Sequence, residues 1–491
     1  MGSTAENKVE NFDVIIIGAG ISGINFAYRI QERCPTLSYT ILDARHEVGG
    51  TWSLFKYPGI RSDSDLYTFG FPWRPWSEQT SIAEGASIRN YLESSAEMYG
   101  IDKHIQFKHT VNNASWSTPQ KKWSLDVTVD GKENKTVRGQ FMLFCTGYYD
   151  YFTPLKVIIP GIESFKGQVI HPQFWPEDLD LAGKEVAVIG SGATAVTLLP
   201  NLAEKAKHVT MVQRSPSYLL SLPKMDGLEW LILKTCPTFI ADKLIRAKWL
   251  LLPFLFVWFC VHAPTLAKRA IKRRTQAELP PNIKQDPHFK PTYNPFEQRL
   301  CFCPDGDFYK SLRSGKASIE TGHIDTITDK TIKMQNGTEL HPDIIVTATG
   351  LKLLTGGGIK IEVDGKPYNI GGHYMWKGVM LEELPNAAYT IGYVDASWTL
   401  GADATAQMMC RIINAMKKEG VSEVVPRQSD EDRQLLKHAP ALRLSSTYIK
   451  AGEAALPRTG DRGPWKPRSY YFKDIMMAWY GNLKTGTEWI R

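Results

Sequence analysis

Two glycine-rich turns carry the most specific chemical signal in this 491-residue sequence. Gly18-Ala-Gly20-Ile-Ser-Gly23 follows the apolar, β-branched run Phe12–Ile17 and precedes a predicted helix from about Ile24 to Arg33. In a strand–turn–helix unit Gly18 permits the tight turn and Gly20 lets the backbone approach a pyrophosphate. Gly23 lets helix pack on strand, and the phosphates meet the helix N-terminus. A second predicted strand, Ser38–Leu42, ends in Asp43, twenty residues after Gly23. A carboxylate there can accept both hydroxyls of a ribose, and acid, strand and helix together make the glycine pattern specific.

The second turn, Gly190-Ser191-Gly192-Ala193-Thr194-Ala195-Val196, repeats this logic after the apolar run Val186–Ile189, with Ala195 in place of the third glycine. Its next strand, His208–Val212, ends in Gln213-Arg214 and not in an acid. An acid would repel a 2′-phosphate, whereas Arg214 can grip it through charge-assisted hydrogen bonds. At about 1.5–3 kcal/mol for such bonds, the expected preference for NADPH over NADH is about tenfold to hundredfold. Two loops imply two bound dinucleotides. Just ahead of the second lies Phe165-x-Gly167-x-x-x-His171-x-x-x-Trp175-Pro176. A segment between two nucleotide folds suits a mechanical link, and His171 reads as a linker residue in preference to a catalytic base.

The composition, 43% hydrophobic and 22% charged, is that of an ordinary globular chain, long enough for two or three domains. The net charge of +7 is dilute, without the clustered basic face that nucleic acid requires. Seven scattered cysteines and the absence of a secretory signal predict reduced, buried thiols and a cytoplasmic protein. Cys301-x-Cys303 has no second pair at ligand spacing, so no metal site is expected. Neither glycine loop is accompanied by a close cysteine pair, which argues against a disulfide reductase.

One stretch is out of keeping. Trp249–Val261 has thirteen residues without a polar side chain, interrupted at Pro253 and followed by Lys268, Arg269, Lys272, Arg273 and Arg274. As a helix it spans about 20 Å, short of a hydrocarbon core of about 30 Å. It reads either as the roof of a substrate channel or as an interfacial anchor, with 249–274 the candidate peripheral membrane contact.

The linker segment, together with Gly49-Gly50-Thr51-Trp52 and Tyr57-Pro-Gly-Ile-Arg61-Ser62-Asp63, resembles type I flavin-dependent Baeyer–Villiger monooxygenases, closest to the ethionamide-activating group. The resemblance covers nearly the whole chain. It implies that the first nucleotide is FAD, held by Gly18, Gly20, Ser22, Gly23, Asp43, Thr51, Trp52, Ser53, Leu54, Asp63 and Val111. The second is NADPH, held by Arg61, Ser62, Asp63, the 190–196 loop, Gln213 and Arg214. Tyr293–Cys301 resembles the family segment with the active-site arginine, which makes Arg299 the catalytic cation and Asp63 its orienting partner. The implied reaction consumes NADPH and O₂ and converts a ketone to an ester or lactone through a C4a-peroxyflavin. Sulfide or amine oxygenation is the alternative, and a non-catalytic flavoprotein a more remote one.

The expected architecture is α/β, with two Rossmann-like dinucleotide-binding domains and a helical insertion. Residues 1–150 and 340–491 would form a discontinuous FAD domain. Residues 151–339 would form the NADPH domain, with the apolar insertion at about 217–290.

Overall fold

The computed structural model describes residues 8–491 and contains two parallel-stranded units. The first begins with β1 (Lys8–Ile17), α1 (Ile21–Arg33) and β2 (Tyr39–Asp43). Its sheet continues with β3 (Ile105–Phe107), β4 (His109–Ser117), β5 (Lys122–Val129) and β6 (Glu133–Phe144). Strands β3, β2, β1 and β6 run parallel in that order, and β5 and β4 extend the sheet antiparallel. Val14, Ile15 and Ile16 of β1 are fully buried, as a strand covered on both faces requires.

The second sheet contains β7 (Gln168–Ile170), β8 (Glu185–Ile189), β9 (His208–Gln213), β10 (Ala317–Thr321) and β11 (Ile344–Thr347). Its order is β10-β9-β8-β11-β7, all parallel, with α2 (Ala193–Ala203) following β8. This moves the expected boundary. Ile344–Thr347 pairs with Val186–Ile189, so the chain leaves the second sheet after Thr347 and not at 340. The apolar run Ile344-Ile-Val346 looks the same in either sheet, and pairing alone decides where it goes. The chain then returns to the first unit, where β12 (Lys360–Val363) pairs with β4 and β13 (Ala387–Tyr389) with β6.

Between β9 and β10 lies the insertion, with α3 (Gly227–Thr235), α4 (Thr238–His262) and α5 (Pro264–Glu278). The apolar stretch is therefore neither short nor broken. It belongs to one 25-residue helix with Pro253 inside it. At 1.5 Å per residue this helix is about 37 Å long. Near its C-terminus the chain adds α6 (Trp398–Glu419) and α7 (Tyr471–Tyr480).

Candidate active site

The turn after β1 holds the conformation its glycines allow. Gly18 has φ +106°, and a Cβ there would come within 2.5 Å of the Cys145 carbonyl oxygen. A Cβ on Gly23 would meet the Gly18 carbonyl oxygen at 1.9 Å, so only glycine lets α1 sit this close to β1. Gly20 faces Gly50 across a groove; a Cβ on Gly50 would lie 3.3 Å from the Gly20 Cα. Asp43 is fixed at the end of β2, where its Oδ2 accepts from the Ala19 amide at 2.6 Å and its Oδ1 from the Arg45 amide at 2.8 Å. Burial raises its carboxyl above the usual range against the pull of those amides. Each oxygen keeps a lone pair for a ribose hydroxyl.

A cavity of about 290 Å³ runs from this turn to the second sheet. Gly18, Gly20, Ser22 and Asp43 line one end, with Gly49, Gly50, Thr51 and Trp52 beside them. Arg61, Ser62, Asp63, His171 and Arg299 line the middle, and Ala193, Thr194 and Val196 of α2 line the far end. Residues far apart in sequence are thus brought to one space.

Arg299 and Asp63 form a two-point pair. Arg299 Nε lies 2.7 Å from Asp63 Oδ2, and its Nη2 donates to Asp63 Oδ1 at 2.9 Å. The Asp63 carboxylate outweighs burial and makes the guanidinium still harder to deprotonate. Burial also raises the hydroxyls of Tyr148 and Tyr149, which are linked to each other at 2.8 Å, so both stay protonated at neutral pH. The site thus offers a fixed cation next to neutral donors.

His171 sits where the two units meet. Its Nδ1 accepts from the Gln173 amide at 3.3 Å, while its buried Nε2 has no protein partner. Burial lowers its pKa below the usual value, so it is neutral at pH 7. Gln173 donates to the Asp150 carbonyl at 2.7 Å and ties the segment to the loop after β6. Phe165 is buried, and a Cβ on Gly167 would strike the Asp343 carbonyl oxygen at 2.4 Å. Trp175 packs against the core of the second unit. Pro176, next in the chain, is partly exposed.

Several sequence-predicted residues are not at the cavity. Ser53 is buried and bonds Arg45 Nη1 at 2.6 Å, Leu54 follows it on the same short helix, and Val111 is buried within β4. Gly190, Ser191 and Ala195 lie beside the lining: Gly190 in the turn, Ser191 with Oγ bonded to the Ser215 carbonyl at 2.8 Å, and Ala195 inside α2. Gly192 caps α2, and open space lies where its Cβ would be. Gln213 is buried and bonds the His288 carbonyl and Thr321. Arg214 is exposed, with Nη2 3.2 Å from Thr447 Oγ1. Sequence reasoning missed Tyr148, Tyr149 and Tyr448, whose chain positions carry no local signal. Trp398 also lines the cavity, donates to Ser22 Oγ at 2.9 Å and stacks on Tyr148.

The residues fit two dinucleotides on structural grounds. Both glycine turns are cradles, and the buried His171 Nε2 and Arg61 Nη2 lack protein partners. Two parallel-stranded units share one cavity lined by Arg299, an arrangement that suits a flavoprotein holding two dinucleotides. Residues 11–268 match the family model described as flavin-binding monooxygenase-like. The chain is 43% identical over 475 residues to the FAD-containing monooxygenase EthA of Mycolicibacterium smegmatis, covering 96% of each. It is 41% identical to the probable FAD-binding monooxygenase AlmA of Acinetobacter baylyi, over 95% of this chain and 93% of that one. The fold also matches solved structures. An oxidized steroid monooxygenase bound to NADP superposes with TM-score 0.75 at 19% identity, over 98% of this chain and all of the other. A cyclohexanone monooxygenase bound to ε-caprolactone gives 0.72 at 20%, with the same coverage. The chain belongs to the flavin-binding monooxygenase-like family and, within it, groups with FAD-containing monooxygenases such as EthA.

Proposed function

We propose that the protein converts an apolar ketone to its ester or lactone, with Arg299 as the catalytic cation and Asp63 as its positioning partner. The balance is ketone, O₂, NADPH and one proton in, and ester, NADP⁺ and water out. FAD, when bound, passes two electrons from NADPH to O₂ and so supplies the activated oxygen.

The chain's own residues bind, orient and shield. The first glycine turn and Asp43 would hold the FAD pyrophosphate and ribose. Arg61, Ser62 and the 190–196 turn would hold NADPH, and Arg214 its 2′-phosphate. The Arg299 guanidinium stabilises the negative charge that develops on the substrate carbonyl oxygen, and it cannot quench that charge by giving up a proton. Asp63 fixes its plane through two hydrogen bonds. Trp52, Phe55 and Tyr57 line the cavity and limit water there. The two-point Arg299–Asp63 pair inside the cavity is the observation that carries this reading.

A second cavity of about 180 Å³ supports an apolar substrate. Trp249, Pro253, Phe254 and Val257 of α4 form one wall, Leu400 and Phe472 contribute to the rest, and Tyr393 and Ala396 line both cavities. The inner side of α4 thus forms a roof, and peripheral membrane contact through 249–274 belongs to the same proposal. Product analysis with linear and cyclic ketones and a thioether tests it. Ester from the ketones supports the assignment, whereas sulfoxide as sole product moves the function to heteroatom oxygenation.

A further inference from the structure

Helix α4 is inside out for a helix against water. Two of its charges, Arg246 and Lys248, turn inward. Arg246 Nη1 donates to the carbonyls of Tyr67 at 2.6 Å and Gly70 at 3.1 Å. Lys248 bonds Asp226 and the fully buried Glu229, which also accepts from Trp249 Nε1 at 2.5 Å. Lys243 is exposed, but the other outward positions along the helix include Ile240, Leu244, Ala247, Leu251, Leu255 and Trp258. Spaced three or four residues apart, they lie on one face. Leu251, Leu255 and Trp258 are 49%, 46% and 53% exposed.

Two neighbouring helices also carry exposed apolar side chains. On α3, held to α4 by Glu229, Leu228 and Leu231 are exposed. On α7, Met476, Trp479 and Tyr480 are exposed, and Phe472 packs on Phe254 of α4 with ring centroids 5.6 Å apart. Single exposed leucines need no explanation, but exposed apolar side chains on three neighbouring helices mark an interaction surface.

We propose that this face docks the protein on the surface of an anionic phospholipid bilayer. Charge complementarity selects the partner. The next helix, α5, exposes Arg269, Lys272, Arg273 and Arg274, and the chain is net positive. Although α4 is long enough to span, Ala241, Ile245 and Cys260 are buried against the protein and Arg246 is bonded within it, so the helix lies along the surface. Trp258, Trp479 and Tyr480 suit the headgroup region. The contact redraws the expected 249–274 patch as α3, α4 and α7 with a basic margin on α5. The cavity on the inner side of α4 is then about one helix diameter, roughly 10 Å, from the acyl chains. Delivery of substrate from the bilayer rests on the reading of that cavity as a substrate chamber; the docking itself does not.

Flotation of the full-length protein with phosphatidylcholine vesicles, and with vesicles carrying about one third phosphatidylglycerol, tests the docking. Binding to the anionic vesicles, weakened at high salt, is expected. Lys272→Ala/Arg273→Ala should lower it by roughly fivefold per charge removed. Leu251→Glu/Leu255→Glu, at exposed positions off the cavity, should abolish it while NADPH-dependent turnover of a water-soluble ketone is unchanged. Absence of binding to anionic vesicles, or binding that survives the double glutamate variant, overturns the proposal. So does conversion of a dimer to a monomer by that variant in light scattering without vesicle binding, which would assign the face to a second copy of this chain. Loss of turnover with retained flotation would count against the catalytic reading and leave the docking standing.

Discussion

At the scale of single residues, a guanidinium next to a carboxylate offers what a lysine could not: two parallel hydrogen bonds and a charge that cannot be lost. Arg299→Lys should therefore lower ester formation about 10²–10³-fold while NADPH still bleaches the flavin in anaerobic stopped-flow. Arg214 faces solvent, free of any carboxylate within salt-bridge range among the described residues, with one weak bond to Thr447. Arg214→Ala should raise KM for NADPH about tenfold to hundredfold and leave KM for NADH unchanged. Asp65 offers a pH test. Burial raises its pKa from 3.8 to about 6, against the pull of Thr68. Since the folded state holds this proton more tightly than the unfolded chain, its effect is to lower stability as pH rises from 3.8 towards about 6. Asp65→Asn retains an acceptor for Thr68, so Tm measured across that window should show a smaller loss than in the parent. Gly18, Gly20, Asp43 and Arg214 could be picked out in the sequence because each stands at a fixed offset from a strand end. Tyr148 and Tyr149 could not, because an aromatic pair after a strand carries no mark of what it will face.

At the scale of elements, α1 and α6 are locked by a buried pair, with Arg29 Nε 2.7 Å and Nη2 3.1 Å from Asp403. Asp403→Ala leaves the buried guanidinium only Glu32, which accepts from its Nη1 at 2.7 Å, and should cost about 3 kcal/mol in denaturant unfolding. Gly23→Ala should loosen the α1–β1 contact and lower flavin retention during gel filtration, since its Cβ has no room. The strand–turn–helix units could be read from sequence because periodicity and glycine agree within thirty residues or so. Helix α4 could not. Proline lacks an amide donor and costs a helix interior about 3 kcal/mol, so Pro253 reads as a break. In the fold, the packing of Trp249 and Phe254 on α3 and the C-terminal segment outweighs that cost.

At the scale of the whole molecule, the site exists only where the two units meet. Asp63, His171, Arg299 and Trp398 reach the cavity from four distant parts of the chain, and Tyr448 approaches Arg299 from a fifth. Arg61 on the first unit is paired with Asp307 on the second, so domain juxtaposition is written into charges as well as into the His171 segment. The strand Ile344–Thr347 shows what sequence leaves open at this scale, because its residues suit either sheet and only long-range pairing assigns it. The function proposed for this joint is insertion of oxygen into a carbon–carbon bond beside a carbonyl, with Arg299 in control. Its most direct test is mass analysis of the product from an apolar ketone with NADPH and isotopically heavy O₂, run on the parent and on Arg299→Ala. The parent should give an ester carrying one heavy oxygen and the variant none, with FAD still bound in both. An ester without the label, or equal labelled ester from the variant, would contradict it.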